Sequence, residues 1–150
     1  MLISWIVLFL FLIIATTFDF SEFVFNFENL AYVLDLPSLI IIVVPTIFFA
    51  VGSYSWDIFS KAWSVTFGSV DEYDSTELKV IQDCVISMGN IAFIMGVLGT
   101  ILGGIILLQN LSDMSQVGPA SAVMIITLFY GLIGKVLCIA TASKIGKKLN

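Results

Sequence analysis

The chain has 150 residues, of which 59% are hydrophobic and only 11% charged, with a formal charge of -5 at pH 7. A soluble globular domain is not built on that balance, because too few polar side chains remain to face water. His and Arg are both absent, which removes the commonest metal ligand and the usual phosphate clamp, so no metal, cofactor or nucleic-acid partner is expected.

Apolar runs at Leu2 to Thr16, Leu36 to Val51, Val85 to Leu108 and Pro119 to Ala142 point to helices, since about 20 apolar residues cross a bilayer and lipid offers backbone groups no other partner. With their flanks they predict an all-α integral membrane protein of four transmembrane helices over about 2-18, 36-54, 82-109 and 118-142. The connections are then outer loops 19-35 and 110-117, a cytoplasmic loop 55-81 and a tail 143-150, all within a single membrane domain. The first run has no basic flank, and Ala15-Thr16-Thr17 is a poor cleavage site, so it reads as a retained span.

Residues 18 to 35 carry Phe at 18, 20, 23, 25 and 27 with acids between them. They read equally as an amphipathic segment on the outer surface or as an interfacial aromatic belt. The middle loop has a helix-like stretch around Trp56 to Trp63, then Asp71, Glu72, Asp74 and Glu77. These acids suit the positive N-terminus of a helix opening at Ser75 and Thr76 and running into span three; a docking surface for a basic partner is the other reading. Lys61 and Lys79 lie in this loop and Lys144, Lys147 and Lys148 in the tail, while residues 17 to 35 and 109 to 118 hold no basic residue. The positive-inside rule therefore places both termini and the middle loop in the cytoplasm.

Span three bears a small-residue stripe of Gly89, Ala92, Gly96, Gly99, Thr100, Gly103 and Gly104, suited to close helix packing. Span four bears a polar one: Thr127, Tyr130, Gly131, Gly134, Lys135, Cys138 and Thr141. A stripe of that kind has no use against lipid. Lys135 is the one charge within an apolar run; it is either functional or a side chain snorkelling to the nearer headgroups. Thr100 lies eight residues from Leu108 and Thr127 eight from Pro119, each about 12 Å deep at 1.5 Å per residue. Two hydroxyls at one depth either line a polar path or back-bond to their own helices. Cys84 and Cys138 fit no metal spacing and read as small buried hydrophobes. No Asp or Glu falls within any apolar run. An ion crossing there needs a carboxylate from elsewhere.

Three stretches resemble the MotA/TolQ/ExbB proton channel family. They are Asp35-Leu36-Pro37-Ser38-Leu39; Gly96 to Gly103 followed by Leu108-Gln109-Asn110-Leu111; and Val117-Gly118-Pro119 with Ala122-Val123 and Thr127 to Gly131. The resemblance implies a homo-oligomeric ring of five copies in a bacterial cytoplasmic (inner) membrane. The ring would surround two copies of a single-span partner of the MotB, TolR or ExbD kind, which supplies the essential Asp. It implies an ion path at Thr100, Thr127 and Tyr130 and a load driven by ion flow; the small residues Gly96, Gly99, Gly103 and Gly131 read as helix packing whatever the function. The middle loop is much shorter than in MotA-type stators and lacks Arg, which counts against the usual flagellar contacts. Leu128 stands where the family has a second Thr, leaning the transported ion toward H+ over Na+; Phe93 and Thr141 replace family prolines.

An ion-driven motor or energy-transducing subunit is thus the leading reading. The alternative is a structural membrane-complex subunit without ion conduction. A self-contained channel is opposed by the missing carboxylate. An enzyme is opposed by the lack of any nucleophile and base pair.

Overall fold

In the computed structural model the described residues are 2–19, 22–109, 111–112 and 114–149. Phe20 of the aromatic segment and Asn110 of the Leu-Gln-Asn-Leu turn lie outside them. The chain divides into two compact units, Met1–Leu36 and Pro37–Asn150.

The first unit opens with helix α1, Leu2–Thr17, an apolar helix whose last residues, Thr16 and Thr17, donate their hydroxyls to the carbonyls of Leu12 and Ile13. Strand β1, Phe18–Asp19, follows and pairs antiparallel with β2, Val24–Phe25, placing Phe18 opposite Phe25. This pairing is the departure from an all-helical chain among the described residues. The Phe18 ring sits 5.2 Å from that of Phe25 and 6.0 Å from that of Phe23, so the aromatic segment folds upon itself. A short helix, α2, Asn29–Val33, ends the unit and buries none of its side chains.

The second unit contains four helices: α3, Leu36–Tyr54; α4, Trp56–Phe67; α5, Ser75–Gln109; and α6, Met114–Leu149. Three of these, α3, α5 and α6, are long and apolar enough to cross a membrane. α1 is apolar too, but its 16 residues reach only about 24 Å at 1.5 Å each. The 35 residues of α5 and 36 of α6 reach over 50 Å, well past a bilayer core of roughly 30 Å. Each therefore continues beyond its apolar run.

Small residues decide how α5 meets α6. Gly89 faces Cys138, Gly96 faces Gly131 and Gly103 faces Met124, so seven residues up α5 match seven down α6. That is an antiparallel pair in a heptad-like register. A Cβ built on Gly131 would stand 2.9 Å from both the Ala92 carbonyl oxygen and Gly96 Cα, atoms of the backbone that cannot turn aside. The glycine stripe is therefore used within the chain, and gives no reason for a contact between copies.

α3 buries Ser38, Ile42, Thr46 and Ala50, one residue per turn. Beyond the apolar runs α4 closes a second layer, where Ala62 and Val65 pack with Leu78, Ile81, Val85, Ala142 and Ile145. Lys144, expected in the tail 143-150, is part of α6. Its ammonium donates to the carbonyls of Val65 at 2.7 Å and Gly68 at 2.6 Å, capping the negative end of α4.

Candidate functional site

The candidate site is the seam between α5 and α6, with α3 packed against it through Ser38 and Ile41. Thr100 Oγ1 lies 2.9 Å from the Gly96 carbonyl oxygen on its own helix and 3.0 Å from the Met124 carbonyl oxygen on α6. One hydroxyl proton is shared between them. Thr127 is buried, its methyl standing over Gly99. Its hydroxyl is 2.7 Å from the Val123 carbonyl oxygen and 2.8 Å from Ser38 Oγ on α3. As at Thr100, the one hydroxyl proton is shared, here between the Val123 carbonyl oxygen and Oγ of Ser38, itself fully buried.

Both threonines thus bond to their own helices, and each also bridges to a second one. The two hydroxyls point to different neighbours: Thr100 across the seam to α6, Thr127 outward to α3. Tyr130 is half-buried, with its ring 6.2 Å from that of Phe129. The Lys135 ammonium donates to the side-chain carbonyl of Asn90, an exposed residue of α5, so an amide partner on the facing helix meets part of its need for solvation. Thr141, the last residue of the polar stripe, lies 3.3 Å from the Thr66 hydroxyl on α4.

Of the four acids, Asp71 takes Lys148 and Glu77 takes Lys61 as ion-pair partners. Asp74 accepts the Thr76 amide at 3.3 Å, an N-terminal bond of α5. Glu72 is exposed. Lys61 also holds Asp57, and these two carboxylates, Asp57 first, keep its ammonium protonated above its ordinary range. Three acids of the proposed docking group are therefore engaged within the chain.

Sequence reading missed Ser38 and Asn90 as partners. A hydroxyl recurring on the four-residue stripe of α3 was the available signal for Ser38, and a lone amide within the apolar run of α5 was the signal for Asn90.

The model of the MotA/TolQ/ExbB proton channel family matches residues 69–150, more than half of the chain. The chain belongs to the MotA/TolQ/ExbB proton channel family. Motility protein A of Aquifex aeolicus (strain VF5) is 33% identical over 84 residues, covering 55% of this chain and 32% of that protein. Chemotaxis protein PomA of Vibrio alginolyticus is 40% identical over 47 residues, covering 31% of this chain and 19% of that protein. The matched stretches thus span a third or less of these relatives. No solved structure matches. As a MotA/TolQ/ExbB family member, the chain carries the whole α5–α6 seam inside the matched region, with Thr100, Thr127 and Lys135, whereas Ser38 and α3 precede it.

Proposed function

We propose that the chain is the ring-forming subunit of a proton-driven motor or energy-transducing complex in a bacterial inner membrane. In this reading α1, α3, α5 and α6 cross the membrane and both termini are cytoplasmic. Five copies surround two copies of a single-span, MotB-like partner whose Asp carries the ion past Thr100, Thr127 and Tyr130. The observation that carries the reading is the family-matched seam, whose hydroxyls stand within apolar runs of α5 and α6 that contain no carboxylate. The names of the two relatives, a motility and a chemotaxis protein, support motility as the load. The short α4 module between α3 and α5 would then have to make the rotor contact.

A second reading, a packing subunit without conduction, is favoured by the engagement of both threonine hydroxyls with backbone carbonyls. The two readings separate in one experiment. The complex is purified with its single-span partner, its copies are counted by native mass spectrometry, and proton uptake is measured after reconstitution into vesicles. Thr100→Val and Thr127→Val keep the shape and remove the hydroxyl. The expected outcome is a five-to-two complex in each case, with uptake reduced about fivefold or more, as loss of roughly 1 kcal/mol of ion stabilisation requires. Variants that assemble and conduct as the parent does leave only the packing role.

A further inference from the structure

Helix α4 has three faces. Ile58, Ala62 and Val65 turn toward the buried layer, and Asp57, Lys61 and Ser64 form a polar edge. The third edge is aromatic. Rings of Trp56, Phe59, Trp63 and Phe67 follow one another with centroid separations of 5.5, 6.3 and 5.8 Å. Phe59 is buried, yet Trp56 is 65%, Trp63 43% and Phe67 62% exposed. A ladder of that size is not left in water without cost.

The structure shows which way the ladder faces. Phe59, its buried member, packs with Ala50 of α3 and with Cys84 and Met88 of α5, next to or within the apolar runs of those helices. Lys61, on the polar edge, pairs instead with Glu77 in the first turn of α5 at 2.6 Å, outside the apolar run. Crossing α4 from its polar to its aromatic edge therefore leads toward the apolar part of the bundle. Ser55 alone separates α3 from α4, so α4 begins within one residue of the end of an apolar helix. It cannot lie far from the level at which that helix leaves the hydrocarbon.

We infer that α4 is a surface helix whose Trp56, Trp63 and Phe67 edge is seated in the headgroup zone of the adjacent leaflet, with the Asp57 and Lys61 edge toward water. Indole suits that zone because its rings take the apolar side while its N–H reaches ester and phosphate oxygens. The occupant is a phospholipid surface. A second copy or a soluble protein is chemically less suited, since the ladder lies on the side of α4 that faces the apolar runs. The inference rests on reading α3 as a membrane-crossing helix, and the seat would brace α4 beneath the seam.

The test uses the full chain in phosphatidylcholine and phosphatidylglycerol vesicles, with Trp5→Phe and one further Trp→Phe leaving either Trp56 or Trp63 as the single indole. Lipids brominated near the headgroup should quench each indole at least twofold, more than lipids brominated at mid-chain, while iodide in the water quenches little. An indole open to iodide faces water, and one shielded from both quenchers is covered by protein; either outcome overturns the proposal. Should Trp5→Phe fail to fold, the difference between the parent and Trp63→Phe reports the same contrast. A Phe48→Trp variant lacking the native indoles tests α3 itself, for Phe48 is exposed on that helix. Mid-chain bromine should quench it. Failure there removes the crossing reading of α3, whereas success there with Trp56 and Trp63 unquenched by lipid overturns only the seating of α4.

Discussion

Gly131 shows how little room the seam leaves at a single residue. The atoms that a methyl would meet, the Ala92 carbonyl oxygen and Gly96 Cα, belong to the facing backbone, so the helices would have to separate along several turns. Gly131→Ala should therefore destabilise the protein by about 1–3 kcal/mol, the usual cost of overpacking. Gly52 gives the opposite case, since a Cβ there meets nothing within 4 Å. Gly52→Ala should raise stability by roughly 0.5–1 kcal/mol through the better helix propensity of Ala. Thermal unfolding in detergent distinguishes them by the sign of the Tm shift; equal shifts would show that the seam is looser than these contacts require. The threonines were legible as deep hydroxyls at one level, but not the direction of their bonds. Ser38 stands 89 positions from Thr127 in the chain, and no local pattern joins residues so far apart.

At the scale of the element, the connection between α4 and α5 is held by charge. Asp71 accepts from Lys148 and from Ser69, and these bonds, that of Lys148 first, lower its carboxyl below the ordinary 3.8. Because the folded value is the lower one, the tether contributes in full above pH 3.8 and is lost as pH falls through the depressed folded value. Hydrogen exchange of the amides of residues 69–74, corrected for intrinsic rates, should stay level from about pH 8 to 5 and rise only below the ordinary carboxylate range. Asp71→Asn should show the faster exchange already between pH 8 and 5, and the two should converge at acid pH, where the parent carboxyl is protonated. Exchange that is level throughout in the parent would mean that the pair does not hold this segment. The helix over Trp56–Phe67 was foreseen around Trp56 to Trp63 from its composition. Its capping by Lys144 was not, because that requires α6 to continue as a helix beyond its apolar run and return beside α4.

For the whole molecule, the arrangement proposed here puts the turn between α5 and α6 on one side of the membrane and the end of α6 on the other. Cysteines at Ser115 and Lys147, both exposed, in a background with Cys84 and Cys138 replaced, test it in intact cells. A membrane-impermeant maleimide should label the first and spare the second; labelling of both overturns the topology. Gly146 would be a poorer probe, since a side chain there meets the Gln82 amide at 3.2 Å. Long apolar runs, the absence of His and Arg and the lysine distribution belong to the sequence alone. The runs determined the membrane class and the long helices, because the bilayer imposes length and polarity on each helix separately, while the family was legible in the motifs around Gly96 to Gly103 and Thr127 to Gly131. Only the tertiary structure decided that the glycine stripe of α5 closes on α6 of the same chain, that Thr127 turns to α3 and that Lys135 meets Asn90. It also folded the Phe-rich segment into a hairpin. Those outcomes depend on register and on which faces meet, and a one-dimensional pattern of small and polar residues is compatible with several partners until the helices are packed.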